Sequence, residues 1–72
     1  MNDRLASIRV NGQNEPLAVA TLTALLHEKA IAPDARGVAV AINGMVVPRA
    51  AWPSTRLSAG DRVEIVRARQ GG

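Results

Sequence analysis

Two Asn-Gly dipeptides, Asn11-Gly12 and Asn43-Gly44, each break a run of alternating residues. Both central positions of a two-residue type I′ turn need positive φ, which Asn and Gly tolerate. Each dipeptide therefore predicts a tight β-hairpin. The first joins a strand over 6–10 to a return over 13–19, and Pro16 makes that return an edge, because proline cannot donate a ladder bond. The second joins a strand over 38–42 to a short return at Met45-Val46-Val47, ended by Pro48. Val38, Val40 and Ile42 fall on one face of that strand, Ala39 and Ala41 on the other.

Between the hairpins the period changes. Leu22, Leu25 and Leu26 recur at helical spacing, Ala30 continues the stripe, and Thr21 is suited to the N-cap. Pro33 forces the residue before it out of the α region, so the helix is expected to stop by Ile31-Ala32. The stretch 49–57 reads as irregular, with Trp52 and Leu57 as its large anchors, and Ser58-Ala59-Gly60-Asp61 as a turn. A last strand over 62–68 points Val63 and Ile65 one way, Glu64 and Val66 the other. This order predicts an α+β domain, a mixed sheet with one helix packed on one face. The opposite face then carries Ala39, Ala41 and Val66, an apolar docking candidate.

Bulk properties exclude several functions. Seventy-two residues make one domain, and a chain of this size buries only about 60% of its unfolded surface, which leaves little room for an enclosed active site. With no cysteine, thiolate nucleophiles, disulfides and zinc–cysteine sites are absent. No run approaches a membrane span and Met1-Asn2-Asp3-Arg4 does not begin a signal peptide, so a cytoplasmic protein is expected. The net charge of +3 comes from arginines scattered along the chain, with Trp52 as sole aromatic. Neither a basic cluster nor a stacking platform for nucleic acid is in view. His27 reads as a surface histidine: Glu28 beside it does not share its helix face, the chain has no cysteine and no second histidine, and no metal site is expected. Asp61 and Glu64 read as a salt-bridging strand edge, and Thr21 and Ser54 have no base nearby in sequence. Gly12 and Gly44 open no helix and so form no phosphate loop.

The last two residues of the sequence are Gly71-Gly72. On the pair alone two readings stay open: a frayed terminus, or a slim arm. Without a Cβ, such an arm can lie extended in a channel too narrow for other residues and present its carboxylate to a partner. Residues 1–68 are then the folded domain and 69–72 a flexible tail.

The order ββ–α–ββ–β ending in Gly-Gly resembles the β-grasp plan of ubiquitin-like proteins and prokaryotic sulfur carriers. The similarity is greatest to the ThiS family, the sulfur carriers of thiamine biosynthesis. It is carried by Val40-Ala41-Ile42-Asn43-Gly44, Val46-Val47-Pro48-Arg49 with Trp52, Gly60-Asp61, and Gly71-Gly72. Val66 stands where relatives often have a larger apolar or aromatic residue, and Arg67-Ala68-Arg69-Gln70 is more basic than an apolar run.

The resemblance implies a protein co-substrate, not an enzyme, with no cofactor of its own. An E1-like adenylyltransferase of the ThiF type, with MgATP, would activate Gly72. A sulfur donor would convert it to a thiocarboxylate, and a thiazole synthase of the ThiG type would receive the sulfur. Gly72 and Gly71 are the chemical site on this reading. Val66, Ala39, Ala41, Arg67 and Arg69 are the candidate partner-binding residues. The alternatives are a molybdopterin synthase small-subunit type of carrier, or a protein modifier or interaction module.

Overall fold

The computed structural model describes residues 6–68. Arg69, Gly71 and Gly72, and with them the expected mobile tail, lie outside the described residues. The elements run β1 (Ser7–Val10), β2 (Gln13–Pro16), α1 (Leu22–Glu28), β3 (Val38–Ile42), β4 (Met45–Val46), a 3₁₀ helix (Arg49–Ser54) and β5 (Arg62–Arg67). Five strands form one mixed sheet in the order β2-β1-β5-β3-β4. The last strand thus lies in the middle, parallel to β1 and antiparallel to β3.

Both Asn-Gly turns have the expected conformation. Asn11 and Gly12 sit at φ 51° and 84°, Asn43 and Gly44 at 54° and 83°. The two asparagines also tie the hairpins to β5. The Asn11 side chain accepts from Ile65 N–H (2.8 Å) and donates to Ile65 C=O (3.3 Å). It thereby continues the β1–β5 ladder past the end of β1. The Asn43 side chain accepts from Arg62 N–H (2.9 Å) and donates to an Asp61 carboxylate oxygen (3.0 Å). The β2 strand is an edge, as Pro16 requires, but it is shorter than its sequence suggests. Among the described residues one further ladder-like bond follows Pro16, from Leu17 N–H to Ala6 C=O.

The core lies between the helix-facing side of the sheet and α1. Ile8, Val10, Val40 and Val63 come from the sheet, Leu22, Leu25 and Leu26 from the helix, and Trp52, Leu57 and Ile31 close the sides. Each large aliphatic side chain fully buried here contributes about 1.5–3 kcal/mol through apolar surface removed from water. The start of α1 is fixed twice. Ala24 N–H donates to the Thr21 hydroxyl, and Thr21 bridges Arg56 between the bonds Leu22 N–H to Thr55 C=O and Leu57 N–H to Ala20 C=O.

The helix ends earlier than Pro33 demands. Lys29 is the C-cap and Ala30 turns left-handed at φ 63°. Ile31 N–H then reaches Leu26 C=O (2.9 Å) and Ala30 N–H reaches His27 C=O (3.0 Å). This is a Schellman closure, which satisfies two carbonyls of the last turn and swings Ile31 into the core. Ala30 therefore leaves the stripe and is exposed, and Ile31 takes its place. Alanine is strained where glycine would not be. Ala30→Gly is accordingly expected to stabilise the domain by about 0.5–1 kcal/mol. A urea midpoint that rises with unchanged m-value is the expected result; a lower midpoint would contradict this account of the helix end.

The stretch read as irregular contains the 3₁₀ helix, with Pro53 inside it and Trp52 buried. The hydroxyls of Ser54 and Thr55 both donate to Ala51 C=O, closing its last turn. Lys29 and Glu15 form an ion pair at 2.6 Å that ties the helix end to the β2 edge.

Candidate docking face and tail root

The face of the sheet away from the helix is set by register. Across β3 and β5, Ala39 pairs with Val66 and Ala41 with Glu64. Across β3 and β4, Ala41 pairs with Val46. Partners in a ladder point to the same side, so two rows form: Val46, Ala41 and Glu64, then Ala39 and Val66. Val66 is 61% exposed and Val46 75% exposed, with no layer over either. Ala39 is exposed and Ala41 half-buried between its neighbours. The apolar patch expected from Ala39, Ala41 and Val66 thus exists, with Glu64 at its side.

Sequence reasoning missed Val46. The signal was present, since a two-residue turn at Asn43-Gly44 fixes Ile42 opposite Met45 and Ala41 opposite Val46. Toward the start of β5 the face turns basic, with Arg9 and Arg62 in register on neighbouring strands. The patch therefore lies at the end of β5 from which the chain continues toward Gly72.

Arg67 is placed differently from Val66. It follows Val63 and Ile65 by alternation onto the helix-bearing side, where it lines a concavity with Ile65, Lys29 and Asn11. Val66 and Arg67 therefore flank the root of the C-terminal segment from opposite faces. Ala68 ends the described chain, and its N–H donates to Gly37 C=O at 2.6 Å.

The remaining polar candidates have structural partners. Asp61 accepts from Ser58 N–H (2.8 Å) as well as from Asn43. It closes a turn, and among the described residues neither Asp61 nor Glu64 forms the ion pairs expected of a salt-bridging strand edge; the pair found among them is Lys29 with Glu15. Arg49 donates to the carbonyls of Pro33 (2.6 Å) and Ala35. Its guanidinium also lies over the Trp52 ring, 4.4 Å from the centroid. Trp52 Nε1–H donates to Val47 C=O (2.9 Å). The Val-Pro-Arg…Trp run is thus a clamp that holds the α1–β3 loop against the 3₁₀ helix. His27 is exposed and lines a groove of about 490 Å³ between α1 and that helix, with Glu28 and Arg49. Among the described residues no group of three or more His, Cys, Asp or Glu could hold a metal ion. Among the same residues no helix is long and apolar enough to cross a membrane.

A five-stranded mixed sheet with one helix on one face and the last strand at its centre defines a β-grasp domain of the ubiquitin-like kind. The chain belongs to the ThiS family, whose model matches residues 8–72. Two solved structures of a thiamine biosynthesis protein (ThiS) from Geobacter metallireducens are similar to it, each at 33% identity. The crystal structure superposes with a TM-score of 0.73, covering 92% of this chain and 99% of that one. The solution structure gives 0.74, covering 92% and 87%. No curated protein sequence matches.

Proposed function

We propose that this chain is a sulfur carrier for thiamine biosynthesis, a protein co-substrate whose own residues supply an acyl carbon, an arm and a docking face. A free carboxylate is a poor acyl donor. An E1-like adenylyltransferase of the ThiF type joins the Gly72 carboxylate to the AMP of MgATP, releasing pyrophosphate. A sulfur donor then displaces AMP and leaves a thiocarboxylate, from which a thiazole synthase of the ThiG type takes the sulfur for the thiazole ring. Orientation and charge stabilisation at the reacting carbon are the partner's. The observation that carries this reading is the family match, which extends from residue 8 in β1 to Gly72.

The geometry of the described residues supports a division of labour. The apolar rows of Val46, Ala41, Ala39 and Val66 dock the partner. Arg67 and Arg69 contact it around the tail root. Residues 1–68 act as the folded body and 69–72 as the arm. A cytoplasmic setting fits an ATP-dependent partner and a chain without cysteine.

Incubation with the adenylyltransferase, MgATP and a sulfide source is expected to exchange one terminal oxygen for sulfur, read as an intact-mass increase. An unchanged mass, with the enzyme active on another carrier, would overturn the proposal.

A further inference from the structure

Four glycines among the described residues have positive φ, and one of them is unlike the rest. A Cβ on Gly12, Gly44 or Gly60 would meet nothing within 4 Å. On Gly37, at φ +71°, it would stand 3.3 Å from the Ala68 Cβ, 3.5 Å from its carbonyl oxygen and 3.7 Å from its nitrogen. Gly37 is therefore constrained twice, by its left-handed backbone and by a neighbour across the ladder. That neighbour is the root of the C-terminal arm. The last registered pair of β3 and β5 is Val38 with Arg67, and one more bond follows, Ala68 N–H to Gly37 C=O at 2.6 Å.

We propose that Gly37 is a positioning residue for the sulfur-carrier reaction: by accepting Ala68 against its bare Cα, it sets where the arm leaves the sheet. The inference rests on the function proposed above. With Ala68 held, four residues follow, a reach of at most about 14 Å. With Ala68 released the anchor retreats to Arg67, which stays paired with Val38, and five residues follow, a reach of at most about 18 Å. Each backbone residue so freed must be ordered again before Gly72 meets the activating site, at about 5- to 30-fold in productive population. The docking rows end at Val66, which stays paired with Ala39. Loss of the anchor therefore falls on turnover and spares recognition.

Gly37→Ala and Gly37→Asn test this, the second because asparagine tolerates left-handed φ but still carries the Cβ. In the isolated chain, amide exchange at Ala68 is expected to accelerate about tenfold in both, with Val40 and Val63 unchanged. Pyrophosphate release by the adenylyltransferase should show kcat lowered about tenfold and KM within about twofold. Gly37→Asn combined with Ala68→Gly removes the opposing Cβ and should recover most of both losses, while Ala68→Gly alone behaves like the parent.

Unchanged Ala68 exchange in Gly37→Asn would overturn the anchor. A loss carried wholly by KM, or no recovery in the double variant, would overturn the positioning role. Failure of the parent chain to be adenylated would overturn the function reading and the reaction half of this one. The exchange data then decide the anchor by themselves.

Discussion

Trp52→Ala is expected to destabilise the domain by about 3–5 kcal/mol, the usual cost of removing a buried indole. A 72-residue domain has only about 4–11 kcal/mol in total, so the variant gives up at least about a quarter of its stability. The cost has three parts. Trp52 is 4% exposed and sits against the core cluster. Its indole N–H is the donor for Val47 C=O, which would lose its partner just past the β4 edge. The ring also forms the floor for Arg49, which in turn holds Pro33 and Ala35. Losing the ring thus loosens the α1–β3 loop, including the approach to Gly37. Far-ultraviolet circular dichroism with urea measures this without depending on the lost fluorophore. A midpoint lowered by less than the equivalent of about 1 kcal/mol would show that the clamp contributes little.

Gly71→Val is expected to abolish thiocarboxylate formation while leaving the urea midpoint where it was. A β-branched side chain restricts the backbone and would jam a partner channel shaped for glycine, whereas the core cluster of the described residues runs from Ile8 to Val63. Val66→Asp separates the face from the arm. Val66 stands on the exposed side of β5, away from Val63, so the domain should fold. A carboxylate placed there must be desolvated when the partner docks, which should weaken binding by about 1–3 kcal/mol, or 5- to 150-fold. Titration calorimetry against the adenylyltransferase reads the second effect and intact-mass spectrometry the first. Unfolding of Val66→Asp would contradict the open face, normal binding would move the docking surface elsewhere, and sulfur transfer to Gly71→Val would remove the channel argument.

The elements governed by near neighbours were legible in the chain itself. Asn-Gly specifies its turn through φ alone, and Leu22, Leu25 and Leu26 specify a buried helix face through spacing alone. The alternation of Val63 and Ile65 against Glu64 and Val66 assigned β5 its two faces correctly. Other features depend on residues far apart in sequence, which no local period encodes. Nothing in residues 62–68 announces that the last strand pairs parallel with the first, yet Asn11 and Ile65 meet across 54 positions. The helix end was assigned to Pro33, but Ala30 turns first because Ile31 gains burial by leaving the helix. Arg49 read as part of an irregular stretch, and tertiary structure made it a clamp on carbonyls 14 and 16 residues away. The Gly-Gly pair and the run Val40 to Asp61 pointed to the ThiS family from sequence alone. The bond from Ala68 N–H to Gly37 C=O was decided only by folding, because the two residues meet only once β3 and β5 lie side by side.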